Sequence, residues 1–160
     1  MIRVVIETAK GTMRAELDDQ HAPITVKNFV DLAKHGFYDG LTFHRVEPGF
    51  VIQGGDPLGN GTGGSGDRIK LEIFAEGDNA ATVGQVLAGG KKPVIKHNKA
   101  GVFSMARTND PNSATSQFFI TLGDASFLDG QYAAFGSTAD TEVAQAIRRG
   151  DKIISIKVEE

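Results

Sequence analysis

The sequence predicts a mainly β fold with two helices, and three observations predict it. Twenty glycines cut the chain into short pieces. Those pieces are β-branched or aromatic runs bounded by turn residues, and only two segments carry the 3.6-residue period of a helix. Ile2 to Thr8 and Thr12 to Leu17, separated by Ala9-Lys10-Gly11, read as a hairpin that begins the sheet. Pro23 then stands where a first-turn proline is tolerated; Val26, Phe29, Val30 and Ala33 recur at i, i+3, i+4 and i+7, and Gly36 is the stop. The stretch 79–98, with Gly84, Gly89-Gly90 and Lys91-Lys92, reads as a surface loop. A second helix is expected from Thr141 to Arg149, with Val143 and Ile147 on one face, Arg148-Arg149 in the last turn and Gly150 as the cap. Lys152 to Val158 closes the chain as a strand. Roughly eight short strands favour a closed barrel over an open sheet, because closure removes exposed edges, but the pattern alone does not select it.

A chain of 160 residues fits one domain around one core. Lysine and arginine number 17 against 20 acids, a net charge of -3, which provides no basic footprint for nucleic acid or an anionic membrane. Cysteine is absent, excluding disulfides, thiolate nucleophiles and sulfur-ligated metals. His21, His35, His44 and His97 lack the spacing of metal ligands, so no metal and no cofactor is expected. Met1 to Glu7 runs straight into a strand without the apolar stretch of a signal peptide, and no run approaches the ~18 apolar residues of a membrane span. The expectation is a cytoplasmic monomer.

Three blocks carry the chemistry. The first is Phe43-His44-Arg45-Val46-Glu47-Pro48-Gly49-Phe50-Val51-Ile52-Gln53-Gly54-Gly55-Asp56. The second is Ser104-Met105-Ala106 followed by Asn112-Ser113-Ala114-Thr115-Ser116-Gln117-Phe118-Phe119-Ile120, and the third is Phe127-Leu128-Asp129-Gly130 with Phe135-Gly136. In content and order they resemble the signature of the cyclophilin-type peptidyl-prolyl isomerases. The resemblance implies a closed eight-stranded antiparallel barrel with a helix over each end and a ligand groove on its outer wall. It implies acceleration of X-Pro bond rotation in unfolded or flexible polypeptides, without a cofactor.

Rotation about an X-Pro bond crosses ~18 to 20 kcal/mol, because the twisted state loses amide resonance and the nitrogen regains a lone pair. Such a reaction needs a pocket for the ring, a hold on the backbone and a donor aimed at density that appears only in the twist. A guanidinium, protonated at any working pH, suits the last task. The resemblance gives it to Arg45, has Phe50, Val51, Phe119 and Leu128 wall the proline pocket, and has Gln53 and Gln117 bond the substrate backbone. It adds Ala106 and Arg107 at the end of the Ser-Met-Ala strand, with Phe127 and Tyr132 at the rim. Strand alternation independently puts Gln117, Phe119 and Thr121 on one face and Phe118 and Ile120 on the other.

Several positions depart from the best-known eukaryotic pattern. Phe127 stands where tryptophan is usual, Tyr132 replaces a histidine, Val51 a methionine, and Arg107 a common asparagine. Loss of the indole donor predicts weak cyclosporin binding. Taken alone, a phenylalanine is usually core and an arginine beside strands is usually half of a surface ion pair; the surrounding motif reverses that for Arg45, and the spacing raises the case for ligand contact only at Phe50, Phe119 and Phe127. Gly61-Thr62-Gly63-Gly64-Ser65-Gly66 matches Gly-x-Gly-x-x-Gly, but it precedes a strand-like run, Asp67 to Phe74, where a dinucleotide site needs a helix. It reads instead as a mobile loop beside the groove. The rival readings are a proline-peptide binding module with little turnover and, from another class, a nucleotide-binding protein.

Overall fold

The computed structural model describes residues 1–159. The hairpin opens the sheet as expected: β1 (Ile2–Thr8) and β2 (Gly11–Leu17) pair in antiparallel register from Ile2 opposite Leu17 to Thr8 opposite Gly11. Helix α1 (Pro23–Lys34) begins on Pro23 and buries Thr25, Val26, Phe29, Val30 and Ala33. Gly36, at φ 71°, turns the chain out of it. Then come β3 (Arg45–Glu47), β4 (Val51–Gly54), β5 (Glu72–Ile73), β6 (Thr82–Val83), β7 (Val102–Met105), β8 (Phe118–Thr121), a 3-10 turn (Ser126–Leu128), β9 (Ala134–Thr138), α2 (Thr141–Ala146) and β10 (Ile153–Glu159).

Eight strands form one curled antiparallel sheet in the order β10-β1-β2-β9-β7-β8-β4-β3. Its two ends are joined just outside the strands. The N–H of Phe43 donates to Asp151 O (2.9 Å), that of Gly150 to Phe43 O (2.9 Å), and that of Ile153 to Leu41 O (2.7 Å). The expected closed barrel is therefore an eight-stranded sheet sealed by a short seam between segments 41–43 and 150–153. Inside lie Ile6, Met13, Leu17, Phe103, Phe118, Ile120 and Phe135, with Phe29 and Tyr38 packed edge to face against Phe118. No described helix is long and apolar enough to cross a membrane.

Helix α1 lacks a cap from its own Ala22. Glu72, 2% exposed, supplies one from β5: its carboxylate accepts the N–H of Ile24 (3.2 Å), the N–H of Thr25 (3.0 Å) and the Thr25 hydroxyl (3.0 Å). A buried anion is held there because the open N–H groups of a helix start carry partial positive charge.

Three expectations need correction. Helix α2 stops at Ala146, because Ile147 turns extended (ψ 138°) and sends its side chain fully into the core. The Arg148 guanidinium folds back to cap the carbonyls of Gln145 (2.9 Å) and Ile147 (3.1 Å), and Asp151 Oδ2 accepts the Arg148 N–H. The segment 79–98 is more than a loop: β6 pairs with β5, and Leu87 joins Leu71, Ile73, Ala75 and Ala133 in a small separate core. The run Asp67 to Phe74 forms a strand only at Glu72–Ile73, since Leu71 donates its N–H to the Asn112 side chain instead of to a neighbouring strand.

Candidate active site

Register assembles the site. Across the outer wall Arg45 stands opposite Gln53, Gln53 opposite Phe119, and Phe119 opposite Ser104, a single row over β3, β4, β8 and β7. Residues directly opposite share a face, so all four point outward, while Ile52, Phe118, Ile120 and Phe103 point into the barrel. Val51, Phe119, Ala125 and Leu128 form a compact apolar cluster on this outer face, with Phe50, Ala106 and Tyr132 packed around it. Thr121 shares the face but is fully buried, its Oγ1 donating to Lys99 O and accepting the Val102 N–H.

Two cavities lie side by side on the wall. The smaller, of about 160 Å³, is lined by Arg45, Phe50, Val51, Gln53, Ala106, Arg107, Phe119, Leu128 and Tyr132. It joins nine of the eleven residues expected from the sequence; Val51, Phe119 and Leu128 give it an apolar floor that suits one small ring, and Arg45, Gln53 and Arg107 make the rest of its wall polar. Phe127 stands beyond it at the rim, 72% exposed and stacked on Phe50 at 5.5 Å between ring centroids. Gln117 belongs to the second cavity, of about 400 Å³, which shares Gln53, Ala106 and Arg107 with the first. The second cavity also takes in Gly61 to Gly64, Arg68, Thr108, Ser113 and Thr115. Sequence reasoning put the glycine loop beside the groove but missed Arg68, whose sequence neighbours carry no signal.

A chain of side-chain hydrogen bonds runs along the row. Arg45 Nη1 donates to Gln53 Oε1 (3.2 Å), Gln53 Nε2 to Gln117 Oε1 (3.0 Å), and Gln117 Nε2 to the carbonyls of Gly61 (3.1 Å) and Gly63 (2.8 Å). Both Gln117 amide hydrogens are thus committed, whereas Gln53 keeps one N–H free. Arg107 is fixed too, donating to Gln131 O through Nε and Nη2 and to Thr108 O through Nη1, with its guanidinium 4.7 Å from the Tyr132 ring centroid. Its N–H groups hold the groove wall itself.

The glycine loop is pinned from below. Asp56, 1% exposed, accepts backbone N–H groups of Leu58 (2.8 Å), Asn60 (3.1 Å) and Gly61 (2.6 Å). Burial opposes its ionisation, but these hydrogen bonds outweigh it and hold the carboxyl below its ordinary range. A Cβ added at Gly63 would lie 2.2 Å from Asp56 Oδ1. A carboxylate beneath the loop repels phosphate, so the Gly-x-Gly-x-x-Gly match is no dinucleotide site.

Two histidines flank the groove. His97, 1% exposed, stacks on Phe119 (6.0 Å), with Nδ1 2.8 Å from Asp129 Oδ1 and Nε2 2.9 Å from Ser104 Oγ. The trio has the order of a hydrolase triad, yet Ser104 is fully buried and no substrate can reach it. It braces the floor of the apolar cavity. Burial lowers the His97 pKa, with Asp129 pulling the other way. Burial likewise lowers that of His44, opposed by Asp56 and assisted by Arg45. His44 lines neither cavity; its Nδ1 is buried without a partner among the described residues.

An eight-stranded barrel thus carries an exposed guanidinium beside a ring-sized pocket with an apolar floor on its outer wall. Residues 3–158 match the family described as cyclophilin type peptidyl-prolyl cis-trans isomerase/CLD, and the chain belongs to that family of isomerases. It is 44% identical to a peptidyl-prolyl cis-trans isomerase of Synechococcus elongatus over 99% of this chain and 97% of that one. It is 43% identical to a peptidyl-prolyl cis-trans isomerase of Schizosaccharomyces pombe over 85% of this chain and 77% of that one. Among solved structures it superposes on the cyclophilin type isomerase of Cryptosporidium parvum, determined in the presence of the dipeptide Ala-Pro, with a TM-score of 0.81 and 30% identity over 99% of each chain.

Proposed function

We propose that the chain acts as a monomer on X-Pro bonds of unfolded or flexible polypeptides, with the proline ring in the 160 Å³ cavity and Arg45 as the catalytic donor. The observation that carries this reading is the row Arg45, Gln53, Phe119: register alone sets a permanent cation, a free amide N–H and an apolar floor side by side. Val51, Phe119 and Leu128 hold the ring while Phe50, Ala106, Tyr132 and Phe127 border it. Gln53 donates its spare N–H to a substrate carbonyl, and Gln117 orients Gln53. As the C–N bond twists, the nitrogen becomes an acceptor that the planar amide lacks, and the guanidinium donates to it. That contact exists only in the transition state, so it raises the rate instead of merely binding. Raising the rate by five decades takes ~7 kcal/mol, of which one preorganised donor supplies about 3 to 4.

Magnetisation-exchange NMR on a short Ala-Pro peptide tests this. Catalytic amounts of protein should broaden and exchange the cis and trans signals. A protein that binds the peptide yet leaves exchange at its spontaneous rate would instead be a proline-peptide binding module.

A further inference from the structure

We infer that the 400 Å³ cavity beside the proline pocket selects an acidic side chain of the substrate, and that Arg68 determines this preference. The inference rests on the isomerase reading of the groove. The two adjoining cavities are lined by three arginines, Arg45, Arg68 and Arg107, and by no aspartate or glutamate, in a chain whose net charge is -3. The positive charge is therefore placed against the overall balance. The larger cavity also lacks a large apolar side chain: its walls are glycine backbone, the amides of Gln53 and Gln117, and the side chains of Thr108, Ser113 and Thr115. A polar occupant there meets the Arg68 guanidinium, the hydroxyls of Thr108, Ser113 and Thr115, and the spare N–H of Gln53.

Nearby carboxylates leave that field largely intact. Asp110 Oδ2 lies 3.5 Å from Arg68 Nη1, with side chains 67% and 52% exposed, a long contact in water. Glu47 sits 3.6 Å from Arg45 Nε and is as open. Asp56 is turned under the loop toward backbone N–H groups. Three of the five Arg107 N–H groups donate to carbonyls, which fix its position but do not cancel its charge. Arg68 lies in the larger cavity only, so its guanidinium reaches a side chain near the proline without touching the ring. Shared walls put that side chain within about three residues of the proline, at ~3.3 Å per extended residue.

The test uses Ala-Pro peptides carrying one Glu, Gln or Lys, moved through the three positions on either side of the proline, with kcat/KM measured by exchange NMR at low ionic strength. At one position at least, Glu should exceed isosteric Gln by about fivefold and Lys should fall below it, with the difference in KM because the contact forms in the ground state. Added salt should shrink the ratio. In Arg68→Gln the ratio should drop to about one, and Arg68→Glu should invert it toward Lys. Ratios near one at every position, with the all-alanine peptide still turned over, overturn the acidic preference and leave the isomerase reading standing. A preference that survives both variants overturns the role of Arg68. Failure to turn over the all-alanine peptide counts against the isomerase reading itself.

Discussion

Replacing Arg45 with alanine separates chemistry from architecture, because the side chain is tied to the groove but not to the fold. It is 46% exposed, and its contacts are one 3.2 Å hydrogen bond to Gln53, a 3.6 Å approach to Glu47 and a guanidinium 5.9 Å from the Phe50 ring centroid. Contacts this open to water total at most about 1 kcal/mol. For a chain of this length that is a fall in Tm of about 2 to 4 °C. The onward links from Gln53 to Gln117 and from Gln117 to the glycine loop do not involve Arg45, so the groove stays ordered. Activity should respond on another scale: loss of a preorganised donor to transition-state density costs about two to three decades. The assay is exchange NMR for kcat/KM, calorimetry for peptide affinity and a thermal melt for fold. The expected result is a hundredfold or greater loss of kcat/KM, peptide affinity within about threefold of the parent, and a melt near the parental one. Arg45→Lys retains charge but not the planar fork, and should recover only a small part of the loss. A folded Arg45→Ala protein keeping more than about a tenth of the parental kcat/KM would remove Arg45 from the mechanism.

Other perturbations probe different parts of the wall. Phe119 is 5% exposed and backs on to His97, so Phe119→Ala should cost about 3 to 5 kcal/mol of stability and roughly 10 °C in Tm as well as weakening peptide binding; an unchanged melt would show that the ring supports nothing beneath it. Phe127→Trp adds an indole donor at an exposed position, so the fold should tolerate it while cyclosporin binding tightens by ~1 to 2 kcal/mol; calorimetry showing no gain would move the obstacle to Tyr132. Burial lowers the pKa of both His97 and His44 in the folded state below the ordinary value of about 6.5. Between 6.5 and those lowered values the unfolded chain binds more protons, so stability is full above about pH 6.5 and declines as pH falls through the window. Urea midpoints measured across that range should show the decline, less steeply in His97→Gln. With a guanidinium as the proposed donor, a group protonated at any working pH, kcat/KM should meanwhile stay flat from about pH 5.5 to 9, and a bell-shaped profile that flattens in His44→Gln would place a histidine in the reaction.

Arg45, Val51, Gln53 and Phe119 were legible on short strands, while Phe50, Ala106, Arg107, Gln117, Phe127, Leu128 and Tyr132 lie outside the strands and were named by the resemblance carried in the sequence blocks. Alternation from Gln117 to Thr121 separates wall from core, and the blocks around Arg45 and Gln53 provide the rest of the row. Thr121 shows where alternation runs out: it shares the outer face yet is roofed by the carbonyl of Lys99, which no local period reveals. Arg68, the Glu72 cap and the trio His97, Asp129 and Ser104 were illegible for one reason. Each depends on a partner far away in the chain, Asp129 being 32 residues from His97 and Thr25 47 residues from Glu72. Helix α2 was overestimated because Ile147 fits the helical period as well as it fits the core, and core packing took it.

The Glu72 carboxylate has a consequence for how the molecule comes together in time. A nascent chain that has released α1 still lacks the residue that completes its first turn, which arrives 47 positions later on the small β5-β6 hairpin. Until that hairpin docks, the amides of Ile24 and Thr25 have only water to bond. Deuterium uptake at those two amides is therefore a direct clock for docking of the β5-β6 unit, readable in the native state as local opening and in refolding as the step at which the helix acquires its distant anion.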